Sequence, residues 1–298
     1  MDTATYALLA DRGVISVAGE ESRRFLQGLI SNDINKVKPD RAIYATLLTP
    51  QGKFLHDFFI VASEEMLLLD CEGSRAADLL RRLGLYKLRA KVTLSDVSAR
   101  YRVAALFGAA AGERLALAPE PGAAKPFAGG IAYCDPRLAA LGFRAILPAE
   151  ATADALGQAG FAAAPANAYD RHRLALGVPD GSRDLPVEKA FLLEHNIEEL
   201  NGVDFSKGCY VGQELTARTK HRGIVRKRLF RVEVDGPLPA PGTPILMGTK
   251  EVGEMRSGRD HAAIALLRLE AFETLPAEGP LTAGEAKLTP KKPEWARF

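Results

Sequence analysis

Between residues 43 and 69 the chain passes three times through apolar, β-forming residues, at 43–48, 54–61 and 66–69, broken only by Pro50-Gln51-Gly52 and Ser63-Glu64-Glu65. Turn residues between such runs predict three strands joined by short turns. Upstream, Gly19-Glu20-Glu21-Ser22 leads into Phe25, Leu26, Leu29 and Ile30 at helical spacing with acids in the first turn. Downstream, Ala76, Leu79, Leu80 and Leu83 repeat at the same spacing before Gly84, and Val92-Thr93-Leu94 returns as a strand. The order helix, strands, helix, strand predicts an α+β unit of the split βαβ kind.

The remaining pattern extends this organisation at both ends. Residues 6–9 and 13–17 flank Asp11-Arg12 and are expected as a hairpin or a strand entry. Strands are expected at 101–107, 131–134 and 143–147, with the Ala/Gly/Pro-rich stretch 108–130 as a surface excursion. Helical patterns follow at 149–158 and 166–176, the second ended by Gly177 and Pro179. From Leu229 onward, Phe230, Val232 and Val234 alternate with charged neighbours, Gly236-Pro237 and Pro241-Gly242 punctuate, and 264–269 is a further strand-like run. A domain boundary is expected near 222–228.

Composition bounds the function classes. The chain has 298 residues, 47% of them hydrophobic, enough for two or three packed units. Thirty-nine bases against 37 acids leave a net charge of +2, so no whole-molecule field favours nucleic acid or membrane. The apolar runs 58–62 and 66–69 fall far short of the roughly 20 residues of a membrane helix. Met1-Asp2-Thr3-Ala4-Thr5-Tyr6 has neither a signal-peptide nor a presequence pattern, and the expectation is a cytoplasmic chain without a targeting segment. Cys71, Cys134 and Cys209 are scattered, with no C-x-x-C pair, which argues against a disulfide framework or a self-contained zinc or cluster site. Cys71 reads as a small buried hydrophobe and Cys134 as a strand-end residue.

Cys209 stands apart. It lies in Lys207-Gly208-Cys209-Tyr210-Val211-Gly212-Gln213-Glu214, among glycines, a lysine and a carboxylate. A thiol acts as nucleophile or ligand in its thiolate form, which an adjacent ammonium favours. Lys207 can supply that charge or bind an anion, and Gly208 and Gly212 permit close approach or positive φ. Gln213 can hydrogen-bond a ligand edge, and Glu214 can accept a hydrogen bond or pair with a base. Three readings of Cys209 stay open: a thiolate that coordinates or receives iron or sulfur, a redox-sensitive thiol, and a cysteine packed in a turn.

This octapeptide resembles the signature of the YgfZ family, relatives of the glycine-cleavage T-protein that assist iron-sulfur cluster assembly or repair in a folate-linked way. The likeness starts at Tyr169-Asp170-Arg171-His172-Arg173 and runs through Leu176-Gly177-Val178-Pro179, Arg183-Asp184-Leu185-Pro186 and Asn201-Gly202-Val203. It continues to Leu215-Thr216-Ala217-Arg218 and Arg226-Lys227-Arg228, and it is closest to the mitochondrial-type branch. It implies a T-protein-like multidomain α+β fold with ferredoxin-like units. A folate-binding region would span 1–225, as two interleaved subdomains at about 1–98 and 99–205 followed by the Cys209 segment, and an antiparallel β-barrel would span 226–298.

The resemblance also assigns candidate residues. Asp57, in Gly52-Lys53-Phe54-Leu55-His56-Asp57, matches a carboxylate that acts near the folate nitrogen, although His56 replaces the first acid of the family's pair. Asn32-Asp33 is similar to part of the folate region, and an Asx turn explains it equally. Arg173 would help hold a tetrahydrofolate, whereas Ala175 stands where a pterin-anchoring glutamate is expected and offers no acceptor. Arg218, Lys220, His221, Arg222, Arg226, Lys227 and Arg228 form the densest basic stretch, suited to a polyglutamylated folate tail, an acidic partner surface or RNA.

Three functions compete. The first is an accessory factor for iron-sulfur cluster assembly, insertion or repair, with Cys209, Lys207 and Asp57 at its centre beside a folate-shaped cavity. Its cargo would be a transient cluster touching Cys209, and its partners iron-sulfur assembly proteins and cluster-containing clients. The second is a folate-dependent aminomethyl or one-carbon transferase, which His56 and Ala175 oppose. The third is a non-enzymatic RNA- or protein-binding module using 218–228, where no aromatic platform supports nucleic acid.

Overall fold

The computed structural model describes residues 3–223, 225–278 and 280–298, with backbone alone at 166, 222 and 276–278. Contacts gather the chain into two compact units, one of Met1–Pro50, Leu55–Tyr169 and Leu200–Gln213, the other of Gln51–Phe54, Asp170–Glu199 and Glu214–Phe298. The elements run β1 (Thr5–Leu8), β2 (Arg12–Ala18), α1 (Ser22–Gln27), β3 (Ile43–Leu48), β4 (Phe54–Ser63), β5 (Met66–Glu72), α2 (Ala76–Lys87) and β6 (Thr93–Asp96). There follow β7 (Tyr101–Phe107), α3 (Ala111–Leu115), β8 (Ala124–Phe127), β9 (Gly130–Cys134), β10 (Phe143–Pro148), α4 (Thr152–Gln158), β11 (Ala162–Ala163), α5 (Ala166–Ala175) and α6 (Gly181–Asp184). The chain closes with α7 (Gln213–Arg222), β12 (Lys227–Asp235), β13 (Pro244–Met247), β14 (Lys250–Arg259), β15 (Ala262–Arg268), α8 (Leu269–Glu278), β16 (Leu281–Ala283) and β17 (Ala286–Lys291).

The first unit holds two sheets. One has the order β3-β4-β5-β2-β6, with β2 antiparallel to both β5 and β6. The three strands expected between residues 43 and 69 are β3, β4 and β5. The other sheet has the order β11-β1-β7-β10-β9-β8. β1 and β2, close in sequence, therefore enter different sheets, and the hairpin expectation gives way to the strand entry. Val14, Ile15 and Val17 of β2 are all buried, so both faces of the strand are covered, while β5 and β6 take up its two hydrogen-bonding edges.

Residues 108–130 are a correction. The expected surface excursion contains α3 and β8, and its Ala111, Leu115 and Ala124 are buried. Ala111 and Leu115 pack with Leu106, Phe143 and Leu156 in one apolar cluster. The Ala/Gly richness that suggested a loop serves close approach instead: a Cβ on Gly112 would come within 3.1 Å of the Phe143 ring. α1 likewise stops at Gln27, one turn earlier than expected, yet Leu29 and Ile30 stay buried beyond it.

In the second unit, β12-β15-β14-β13-β16-β17 close into a barrel. Phe230, Val232 and Val234 of β12 alternate into its core with Ile245, Met255, Ala265 and Leu267. Burying a side chain such as Phe230 contributes roughly 1.5–3 kcal/mol. Among the described residues no helix is long and apolar enough to cross a membrane.

Candidate functional site

The Cys209 segment is fastened to the residues that follow α1. A helix end leaves carbonyl oxygens without partners, and here Lys207 supplies the donors. Its Nζ donates to the carbonyls of Gln27 at 2.8 Å, Ile30 at 2.6 Å and Asn32 at 2.8 Å. An ammonium has three N–H groups, so all are committed to backbone oxygens. Burial pulls the Lys207 ammonium down to about 8, and its charge lies 5.0 Å from the Tyr210 ring centre. Lys207 thus anchors the loop, a role the sequence did not announce beside those of tuning the thiol or binding an anion.

Further bonds complete the attachment. The Asp204 N–H donates to the Ser31 carbonyl at 3.0 Å and the Val211 N–H to the Gly28 carbonyl at 3.1 Å. The Ser31 hydroxyl donates to the Gly202 carbonyl, and Lys36 pairs with Asp204 at 2.7 Å. Beyond the anchor, Gly212 takes φ 82°, the left-handed turn that a glycine admits without strain. The Tyr210 N–H donates to Gln213 Oε1 at 3.1 Å, so that oxygen serves the local turn.

Between these fixings Cys209 is exposed, whereas Cys71 and Cys134 are buried. Burial pushes both of those thiols up to about 12, which keeps them protonated at physiological pH. Glu214, in the first turn of α7, and Arg218 on the same helix are exposed. The side chain of Arg222 lies outside the described residues. Lys220 pairs with Glu198, and Arg228 is buried against Glu199 at 2.9 Å and the Leu193 carbonyl. Among the described residues of the basic stretch, Lys220 and Arg228 are thus spent on ion pairs within the protein, whereas Arg218 and Arg226 are exposed.

A cavity of about 190 Å³ lies in the first unit, lined by Asn32, Lys36, Arg41, Tyr44, Pro136 and Asn201 among others. The Asn32 amide is already engaged, donating to the Tyr44 and Asn201 carbonyls at 2.8 Å and accepting from the Asp33 N–H. Asp57 is 4% exposed and accepts the Tyr44 hydroxyl at 2.9 Å, one hydrogen bond behind the cavity wall. Burial, reinforced by the Asp57 charge, raises the Tyr44 phenol well above its ordinary value, so it stays a donor. Arg137 reaches over the Tyr44 and Phe59 rings at 5.6 and 4.8 Å while paired with Asp135 at 2.8 Å. Tyr44, Ser31 and Arg137 were missed by the sequence reading, because Tyr44 sits inside a strand run and the others carry no local signature.

His56 is not among the residues that line this cavity. His56 faces Asp78 at 2.9 Å, and burial with the nearby Arg75 pulls it down to about 4. It is neutral at pH 7, and the Asp78 carboxylate requires its Nε2 to carry the proton. In the second unit, Arg173 spends all five N–H donors inside the protein, on Asp170, Asp184, the Val178 carbonyl and Ser257. Ala175 is exposed near the end of α5. Among the described residues no group of three or more His, Cys, Asp or Glu side chains is placed to hold a metal ion.

Comparisons with known proteins fit this geometry. Residues 9–121 match the GCVT N-terminal domain and residues 226–298 the CAF17 C-terminal beta-barrel domain. The chain is 34% identical to the mitochondrial iron-sulfur cluster assembly factor IBA57 of Mus musculus and 35% identical to that of Homo sapiens, in each case over 96% of this chain and 84% of the relative. A homologue from Mycosarcoma maydis is 36% identical over 75% of this chain and 55% of its own length. Among solved structures, the glycine cleavage system aminomethyltransferase T from Bartonella henselae superposes with TM-score 0.78 over 98% of this chain and 85% of its own, at 16% identity, and shares the fold. The relatives are named as mitochondrial proteins, which overturns the expectation of a cytoplasmic location. At this identity and coverage, the chain belongs to the IBA57 family of iron-sulfur cluster assembly factors, within the wider YgfZ group.

Proposed function

We propose that the protein is an accessory factor for iron-sulfur cluster assembly, insertion or repair, in mitochondria as for its named relatives, and that Cys209 is the atom it presents to the cluster. The observation that carries this reading is the contrast within the cysteine set. Cys209 is exposed on a segment that Lys207 fixes to three carbonyls, while the other two thiols are sealed. A cluster is normally held by four thiolates. One fixed, accessible sulfur therefore suits a transient contact in which an assembly protein or a client enzyme supplies the other ligands.

Tetrahydrofolate enters the proposal only as an occupant of the cavity beside Tyr44, and the residues fit it poorly. About 190 Å³ is less than the roughly 300–1,000 Å³ of ligand pockets. Arg173 has no donor left, and Ala175 has no acceptor. Calorimetric titration with tetrahydrofolate decides the point, and binding below millimolar concentration would reinstate it.

Complementation tests the main reading. In cells lacking this family's factor, wild type restores the activity of a cluster-containing enzyme and Cys209→Ser does not, although both accumulate as folded protein. Full rescue by Cys209→Ser removes the thiol from the function.

A further inference from the structure

At the exposed end of α2 two residues run against what folding alone rewards. Leu88 follows the helix with φ 44° and ψ −111°, and the Ala90 N–H donates back to the Lys87 carbonyl at 2.8 Å. Leu88 thus occupies the first central position of a type II′-like turn, where glycine is at ease and a Cβ is strained. Burial does not compensate, because Leu88 is 88% exposed. One turn earlier, Gly84 sits within the helix, where alanine is the better residue, and a Cβ built on it would meet nothing within 4 Å. Packing inside this chain explains neither choice, and local rules broken without internal compensation point to a site of function.

The surroundings have the character of an interface. Leu85 is 65% and Tyr86 40% exposed, so three of the five exposed large hydrophobics among the described residues fall within four consecutive positions. Leu79 and Leu83 already bury the core-facing side of the helix. Residues 76–91 carry five bases against one acid, although the whole chain is only +2. Arg81 and Arg82 are engaged by Asp78, and Lys91 by Glu20. Among the described residues Lys87 and Arg89 make no ion pair.

We infer that residues 84–89 form a docking surface for an acidic protein partner, which seats Leu85 and Leu88 in an apolar recess, brings its backbone against Gly84 and neutralises Lys87 and Arg89. The inference rests on the proposed function and deepens it: the partner belongs to the iron-sulfur assembly proteins or clients that meet Cys209. Like charge disfavours a second copy of this chain on the same face. A lipid surface would gain only three apolar side chains on a tip too short to anchor. Exposed aromatic and aliphatic anchors beside uncommitted cations are what an acidic interface selects.

The test uses full-length protein in cells lacking the factor, with Leu88→Gly, Gly84→Gln and the Lys87→Glu/Arg89→Glu pair, and with a photoreactive benzoylphenylalanine at Leu85. Leu88→Gly relieves the turn, so its melting temperature holds or rises while rescue of a cluster-containing enzyme falls about tenfold or more, the scale of one interface anchor. Light should join Leu85 to an identified acidic iron-sulfur protein, and the charge-reversed pair should abolish that adduct. Full rescue by all three variants overturns the inference, as do adducts with lipid alone or with a second copy alone. If wild type itself fails to rescue, the proposed function falls, and the cross-linking result then decides the docking surface by itself.

Discussion

The Lys207 Nζ lies 2.6 Å from the carbonyl oxygen of Ile30, and this contact, with its companions at Gln27 and Asn32, fixes the Cys209 segment to the residues after α1. Three carbonyl acceptors converging on one nitrogen match the three N–H donors of a tetrahedral ammonium. The planar fork of a guanidinium cannot reproduce them.

Lys207→Met is expected to lower stability by about 2 kcal/mol, the scale of lost hydrogen bonds to a charged group. Lys207→Arg should recover little of it. The amides of Asp204 and Val211, which donate to the Ser31 and Gly28 carbonyls, should exchange hydrogen faster in both variants, by nuclear magnetic resonance or mass spectrometry. Unchanged exchange at these two amides would remove Lys207 from its anchoring role.

Thiol chemistry should count one cysteine in the folded chain and three in the unfolded one. Cys71 and Cys134 are buried with their thiols pushed up to about 12, so iodoacetamide should label Cys209 alone at neutral pH. Intact mass after native and denaturing alkylation reads both numbers. Native labelling of Cys134 would contradict its place in the core.

The strands β3 to β5 were legible because their apolar runs and turn residues are local, the barrel through the family resemblance, and Cys209 because a reactive-thiol context is written in eight consecutive residues. The role of Lys207 was not legible, since its partners lie about 180 positions away and are backbone oxygens that no side-chain identity announces. The same limit hid α3 and β8: buried alanines and exposed loop alanines are the same letters. Arg173 illustrates the converse error. Its position matched a binding pattern, but four residues of the same unit take up all five of its donors, a fact that only tertiary structure contains.

Arg173→Leu should therefore act on stability and not on ligand affinity. Removing a buried guanidinium leaves Asp170 and Asp184 without a shared partner, and breaking such a pair costs about 3–5 kcal/mol. Urea unfolding should show a lower midpoint at an unchanged slope. Native-like stability combined with weakened folate binding would return Arg173 to a ligand-binding role.

Acid should destabilise the protein before most carboxylates titrate. His56 and His195 are both held at about 4 in the fold, by burial first, against 6.5 in the unfolded chain. Between those two values the unfolded state binds protons that the folded state refuses, so stability falls as pH drops through the window and levels off for these groups near its lower end. Each histidine contributes a slope of up to about 1.4 kcal/mol per pH unit. His56→Gln keeps a donor for Asp78 and removes one of the two titrations, so urea midpoints measured across the window should fall roughly half as steeply as in wild type. An identical slope in the variant would mean that His56 takes up its proton without unfolding, and that its pairing with Asp78 tolerates the imidazolium.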